Sequence, residues 1–189
     1  MAQSQLTRED VVDRLRQVFR EEGYEGASLA KLSEASGLGR SSLYHHFPNG
    51  KEDMAEAVLA ASSEHFKREV LDPLSAPGPV KQRIVRAAKG LANFYDGGKK
   101  SCLVDLFGVG FVGELFRSRL QATVKRIEGA FTDLLVDEGV PVSEAKARAT
   151  DALIAVQGSL VIARAVDDPA IFRRVLNELP ERLLQPAKK

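Results

Sequence analysis

The stretch SLAKLSEASGLGRSSLYHHFPNGK, residues 28–51, gives the clearest indication of how this chain folds. Apolar residues recur at helical spacing on both sides of Gly37, and glycine commonly ends a helix. The spacing predicts a short helix after Ser28, a tight turn at Gly37, and a second short helix from Arg40 to Phe47. Two short helices around such a turn are typical of a helix-turn-helix motif, whose second helix enters the major groove of DNA.

The second of these helices concentrates side chains that can bond to DNA. Short hydroxyl groups, an arginine and imidazoles in its turns suit base edges, while Tyr44 and Lys51 can reach phosphates. Ser28 caps the preceding helix, whose first N–H groups can bond to a phosphate. Leu43 and Phe47 lie four residues apart and are expected to be buried. The candidate DNA-contacting residues are therefore Ser28, Arg40, Ser41, Ser42, Tyr44, His45, His46 and Lys51.

Two other interpretations of this segment fit its spacing. It can be a structural helical hairpin with a polar surface, and the pair His45 and His46 can suggest a metal site. Adjacent residues diverge by about 100° around a helix, so both imidazoles do not easily bind one ion. We therefore predict no metal.

The charge of the N-terminal region argues against nucleic acid as a partner. The first 60 residues contain seven Lys or Arg and ten Asp or Glu, a net charge of −3, whereas phosphate binding favours positive charge. Residues 38–51, however, contain two basic residues and no acid. A helical adaptor that forms dimers without binding DNA is therefore the alternative function.

Helical spacing continues through most of the chain, without a long strand-like alternation. We predict an all-α fold of about nine helices. Residues 1–50 would form a three-helix DNA-binding domain, and residues 51–189 a helical domain for effector binding and dimerisation. A fourth helix is expected over residues 51–71. The segment 72–79, which holds three prolines and a glycine, is the clearest linker.

Aromatic residues cluster in the middle of the chain, as in an apolar ligand pocket with few polar groups. The same residues also fit ordinary core packing. Cys102 follows two lysines that can lower the pKa of a thiol, so it fits a redox sensor as well as a small buried apolar residue. The candidate effector-contacting residues are Phe66, Phe94, Cys102, Phe107, Phe111, Phe131 and Gln157.

The last two predicted helices have broad apolar faces, which can form a four-helix interface in a symmetric dimer. Gly158 would permit close approach of helices there. A dimer is also expected because one short recognition helix binds DNA weakly. The candidate interface residues are Leu153, Val156, Leu160, Ile171, Phe172 and Val175.

Composition sets further limits. The chain is 44% hydrophobic and 28% charged, as in ordinary globular proteins, and its single cysteine suits a reducing cytoplasm. The sequence contains no signal-peptide pattern, and no apolar run approaches the ~20 residues that span a membrane. Neither an HExxH motif, a phosphate loop nor a Ser/His/Asp ordering is present. We expect a cytoplasmic protein without membrane association that is not an enzyme and needs no cofactor.

Several of these residues together resemble the N-terminal domain of the TetR/AcrR family of bacterial transcriptional repressors. The resemblance covers about residues 7–60. It is carried by Gly23-Tyr24, Ser28, Ala35-Ser36-Gly37-Leu38, Ser42-Leu43-Tyr44-His45-His46-Phe47 and Lys51. The segment YHHFPNGKEDM, and Cys102 after Gly-Gly-Lys-Lys, are similar to the lincomycin-resistance-repressor subgroup.

The resemblance implies an all-helical homodimer that binds operator DNA and releases it when a small effector binds. By similarity, Arg40, Ser41, Ser42 and His45 would face bases. The residues that would face phosphates or flanking positions are Ser28, Tyr44, His46 and Lys51. The sequence departs from many relatives in the first helix, where it has Glu9 and Asp10 in place of a more basic start.

Overall fold

A computed structural model describes residues 6–108 and 110–185, with the side chains of residues 110 and 111 outside this description. Within these ranges the chain is helical and contains no strand, which confirms the all-α prediction. A π-helical segment, Lys67–Leu71, and a short 3-10 helix, Asp96–Gly98, accompany the α-helices. The α-helices are α1 Arg8–Gly26, α2 Leu29–Ser36, α3 Arg40–His46, α4 Lys51–Phe66, α5 Asp72–Ser75, α6 Val80–Phe94, α7 Leu103–Leu106, α8 Gly110–Leu115, α9 Arg117–Asp137, α10 Val142–Ala165 and α11 Pro169–Leu184.

The described residues form two compact units. The N-terminal unit extends to Ser63 and also includes Leu103–Leu115, while the C-terminal unit consists of Glu64–Cys102 and the chain from Phe116 onward. These packing units differ from the predicted division at residues 50 and 51, which separates DNA binding from effector binding and dimerisation. That functional division stays a prediction.

The N-terminal unit is built on α1. A capping box between Thr7 and Asp10 starts this helix, and its apolar stripe, including Leu15 and Phe19, is buried. The helical path breaks at Gly23, where φ is 68°, and resumes for one turn. Phe107 from the segment after α7 packs on this helix, with its ring centroid 5.6 Å from that of Phe19.

The C-terminal unit begins with a helical stretch longer than its sequence predicts. The predicted linker 72–79 was partly wrong, because residues 72–75 form α5. Pro73 follows the π-helical segment Lys67–Leu71, in a stretch whose backbone stays helical at Leu71 and Asp72. Leu74 is buried, which explains why the helix continues.

Helices α6, α9, α10 and α11 supply most of the core of the C-terminal unit. Phe172, Leu176 and Leu179 of α11 are buried, as are Ile84 of α6 and Phe131 of α9. No helix in the described part of the chain is both long enough and apolar enough to cross a membrane.

Candidate DNA-binding surface and candidate effector pocket

The turn between α2 and α3 is held by glycine and by two serines. Ser28 Oγ accepts a hydrogen bond from the Lys31 N–H at 3.3 Å and so caps α2. Gly37 ends α2 in the left-handed conformation, with φ at 71°, which favours glycine. Ser33 Oγ donates to the Leu38 carbonyl at 2.6 Å, and Ser36 Oγ accepts from the Leu38 N–H at 3.3 Å.

Helix α3 separates its apolar and polar side chains onto two faces. Leu43 and Phe47, at its C-terminal end, are each only 1% exposed. The remaining side chains of the helix are exposed, and we call them the α3 surface: Arg40, Ser41, Ser42, Tyr44, His45 and His46. This surface contains hydroxyl, imidazole and guanidinium groups and no carboxylate. It is therefore suited to hydrogen bonding with bases and phosphates.

Tyr44 also supports the turn that follows α3. Gly50 has φ at 65°, and a Cβ atom built on it would lie 3.3 Å from Tyr44 Cε1. The ring therefore lies against the backbone at Gly50 while its side chain remains exposed. The predicted phosphate contact of Tyr44 remains a prediction.

Asn49 and Asp53 fix the start of α4. The Asp53 carboxylate accepts from the Asn49 N–H at 2.8 Å and from its side-chain Nδ2 at 3.1 Å. These hydrogen bonds, the backbone one foremost, lower the pKa of Asp53 below its ordinary value. This pair was not predicted, and its signal in the sequence is an acidic residue in the first turn of a helix that follows a turn-forming Asn.

Lys51 lies at the first position of α4 and contacts the end of α1. Its Nζ donates to the Tyr24 carbonyl at 2.8 Å and lies 3.5 Å from the Glu25 carbonyl. It also lies 4.4 Å from the centre of the Tyr24 ring. The ammonium predicted to bind a phosphate is thus engaged within the N-terminal unit, whereas Arg40 is exposed.

The C-terminal unit contains a small pocket between α4, α6, α9, α10 and α11. Gln157 is the polar residue among its walls, which are Phe66, Leu91, Ile127, Phe131, Ala152, Leu153, Val156, Gln157 and Leu179. Its cavity volume is about 10 Å³, the room that one water molecule needs. A ligand of several rings would therefore have to displace side chains.

Several predicted effector-contacting residues are on or next to this pocket. Phe66, Phe131 and Gln157 line it, and the ring of Phe94 packs edge-on against Phe66 at 5.2 Å. Other apolar wall residues, such as Leu91 and Ile127, were not predicted. In the sequence nothing distinguishes them from ordinary core residues.

Cys102 takes part in a buried polar chain in the same unit. Gln157 Nε2 donates to Tyr95 Oη, and Tyr95 Oη donates to Cys102 Sγ, each at 3.5 Å. The thiol is buried. Its packing is that of a small buried residue rather than of an accessible redox sensor.

Phe107, also predicted to contact the effector, does not line this pocket. It belongs to the N-terminal unit and packs against Phe19 and Tyr24, at 5.6 and 5.8 Å between ring centroids. An aromatic residue at helical spacing has the same pattern in a core as in a pocket, so sequence could not separate the two. The side chain of Phe111 lies outside the described residues.

The predicted dimer interface stays a prediction, and several of its residues are already packed within the single chain. Val156, Leu160, Phe172 and Val175 are buried within the C-terminal unit and leave almost no side-chain surface for a partner. Leu153 and Ile171 are half-buried. The exposed apolar side chains of this region lie on another face of α10 and at its C-cap, and we call them the α10 apolar face: Ile154, Val161, Ile162 and the C-cap residue Val166. Over residues 152–163 α10 has apolar residues in several directions, so its sequence does not indicate which face packs inward.

The fold and the α3 surface define an all-helical protein with an N-terminal helix-turn-helix. Residues 11–58 match the family described as bacterial regulatory proteins, tetR family. Residues 86–178 match the family described as transcriptional regulator LmrA/YxaF-like, C-terminal domain. The chain belongs to the TetR family of transcriptional regulators.

Individual relatives are similar over nearly the whole chain. The HTH-type transcriptional regulator LmrA of Bacillus subtilis (strain 168) is 23% identical over 186 residues, covering 94% of this chain and 96% of LmrA. A TetR transcriptional regulator from Legionella pneumophila has a TM-score of 0.83 at 20% identity, covering 95% of this chain and 98% of that one. A cysteine mutant of the TetR family regulator CifR, solved with 26-bp operator DNA, has a TM-score of 0.77 at 23% identity, covering 95% of this chain and 98% of that one.

Proposed function

We propose that this protein is a ligand-responsive transcriptional repressor, which binds operator DNA as a homodimer and is released by a small, largely apolar effector. The observation that carries the proposal is the division of α3, which buries Leu43 and Phe47 and exposes hydrogen-bonding groups without a carboxylate. The structural relative CifR was solved with operator DNA, which supports the same use of this fold. The cytoplasm, which contains bacterial operator DNA, is the proposed location.

Homodimer formation is supported by the α10 apolar face. Its four exposed apolar side chains run along α10 around Gly158, near which a Cβ atom would meet nothing within 4 Å in the chain. An exposed apolar stripe of this kind marks a protein interaction site, and a two-fold axis brings the same surface of two copies together. The dimer would present two copies of α3 to successive major grooves, about 34 Å apart.

Operator binding is tested with duplexes selected from a random library by the full-length protein. A mobility shift in rising salt should show specific binding that weakens as cations compete for the phosphates. Absence of a specific shift at low salt would contradict DNA binding and favour the helical adaptor.

Effector binding at the pocket is tested with N-phenyl-1-naphthylamine, a neutral apolar dye whose emission rises in apolar surroundings. Ala152 lies in the pocket wall, so the larger side chain of Ala152→Val narrows the small cavity and should weaken a saturable rise in emission. The control is Val124→Ile, a similarly small enlargement at an exposed position of α9 outside the pocket. Equal dye binding by both variants would place the effector site elsewhere.

A further inference from the structure

We propose that Lys51 is a positioning residue, which ties the start of α4 to the end of α1 and so fixes the orientation of α3, rather than a phosphate-binding residue. This inference rests on the proposed DNA-binding function. It concerns how the N-terminal unit holds the α3 surface ready for DNA.

Lys51 binds carbonyls in the single turn that ends α1 after the break at Gly23. The last carbonyls of a helical turn have no N–H partner within it and need one from elsewhere. The last turn of α1 contains no basic residue. Lys51 Nζ reaches two carbonyls there, 2.8 Å from that of Tyr24 and 3.5 Å from that of Glu25. A cation from α4 thus completes a helix that lies more than 20 residues earlier in the chain.

The Tyr24 side chain makes this contact a fixed one. Its ring stacks on Phe19 at 6.1 Å and meets Phe107 edge-on at 5.8 Å, and both phenylalanines are buried. The Lys51 ammonium lies 4.4 Å from the centre of that ring, within the range of a cation–π contact. The ammonium is therefore held by a carbonyl and by an aromatic face that the core keeps in place.

The connection from α3 to α4 has little freedom, so a fixed Lys51 restrains α3. Between His46 and Lys51 lie four residues, in which the Gly50 N–H donates to the Phe47 carbonyl at 2.8 Å. Asp53 accepts two hydrogen bonds from Asn49 in the same turn. Loss of the Lys51 contact would release the start of α4 and, through this short turn, the helix that carries the α3 surface.

The salt dependence of operator binding distinguishes a phosphate-binding Lys51 from a Lys51 that only positions α3. A side chain that neutralises a phosphate releases about 0.9 counterions, so its removal from both subunits of a homodimer lowers the slope of log affinity against log salt by about 2. An ammonium that remains on the α1 carbonyls in the complex releases none. Lys51→Met retains the aliphatic stem of the side chain and removes only the charge and the N–H donors.

The experiment measures the affinity of the full-length protein for its selected operator duplex by fluorescence anisotropy, at several salt concentrations. We expect Lys51→Met to weaken operator binding about tenfold with the salt slope unchanged. The matched control is Arg40→Met, which removes an exposed cation proposed to face bases and should relax discrimination against mismatched operators, which Lys51→Met should leave unchanged. A slope that falls by about 2 in Lys51→Met, or an unchanged operator affinity, would overturn the proposal.

A second variant keeps the test decisive if Lys51→Met does not fold. Tyr24→Leu removes the ring under the ammonium without changing the charge. It should weaken operator binding several-fold at an unchanged slope, and unchanged binding by Tyr24→Leu alone contradicts the positioning role. When Lys51→Met folds, its loss should be smaller in the Tyr24→Leu background than in the wild type, and strict additivity of the two losses also contradicts the role.

A measurement without DNA distinguishes failure of this inference from failure of the proposed function. Amide hydrogen exchange over residues 40–46 should be faster in Lys51→Met than in the wild type, because α3 loses its restraint. If the wild type binds no DNA, the repressor proposal fails while this readout still tests the restraint. If exchange over α3 is unchanged, the restraint fails whatever the DNA result.

Discussion

Helices α3 and α10 leave chemically different surfaces exposed. In α3 the apolar residue Leu43 is buried and the polar residues face solvent, whereas α10 is apolar on its buried face and on its exposed one. An exposed set of hydrogen-bonding groups suits a polar partner such as DNA, and an exposed apolar stripe suits another protein surface. Exposed chemistry, rather than helix pattern alone, therefore indicates which partner each helix would meet.

The largest predicted difference is in the free energy of unfolding, between a change at a buried residue of α11 and a change at an exposed residue of the α10 apolar face. Phe172 is fully buried, so Phe172→Ala should lower the free energy of unfolding by about 3–5 kcal/mol. Ile154 is 63% exposed, and Ile154→Ala should change the stability of a single chain by less than about 1 kcal/mol. Urea denaturation followed by circular dichroism, at concentrations where the protein is monomeric, measures both. Equal losses would mean that the faces of α10 and α11 are assigned incorrectly.

The next effect concerns the α10 apolar face as an interface. Ile154→Glu combined with Ile162→Glu would place carboxylates against an apolar surface in the dimer, and burying unpaired charge is unfavourable. The dimer dissociation constant should rise at least about tenfold, which corresponds to about 1.4 kcal/mol. Sedimentation equilibrium measures it. Val136→Glu, at an exposed position of α9, serves as the control. An unaltered dissociation constant in the double variant would exclude this face.

Two glycines offer a finer test of the same face. A Cβ atom at Gly129 or at Gly158 would meet nothing within 4 Å in the chain. Each change to Ala should therefore stabilise the single chain by up to about 1 kcal/mol, because alanine favours helix. Only Gly158→Ala should also weaken the dimer, since Gly158 lies on α10 within the apolar face. Identical dimerisation by the two variants would show that helices do not approach closely at Gly158.

A weaker effect concerns pH and the turn after α3. Because the pKa of Asp53 is lowered in the folded protein, its carboxylate stabilises the fold above its unfolded pKa, about 3.9. This contribution is lost as pH falls through the folded pKa. The stability difference between the wild type and Asp53→Asn should thus be present at pH 7 and shrink below about pH 4. Urea midpoints across this range measure it, and a difference that grows in acid would reverse the assigned sign.

Sequence predicted the helix-turn-helix well because each of its local signals has one physical meaning. Gly37 adopts the left-handed conformation that ends a helix, Ser28 caps α2, and Leu43 is the apolar residue within a polar α3. The membership of the TetR family was likewise predicted from these residues and confirmed. The particular DNA contacts of the α3 surface remain predictions.

The C-terminal unit was less predictable because its sequence is apolar in several directions. Phe107 and Phe131 have similar surroundings in sequence, yet one packs in the N-terminal unit and the other lines the pocket. The contact of Lys51 with α1 depends on tertiary packing between residues far apart in the chain. No local pattern contains that information.

DNA recognition by α3 is tested by the operator affinity of a variant stripped of the α3 surface. The triple change of Arg40, Ser42 and His45 to Ala leaves the buried residues Leu43 and Phe47 intact. Fluorescence anisotropy with the selected operator should show a loss of at least about 100-fold, on the order of 1–3 kcal/mol for each base contact. Circular dichroism should confirm an unchanged fold. Operator affinity within about twofold of the wild type would contradict DNA recognition by α3.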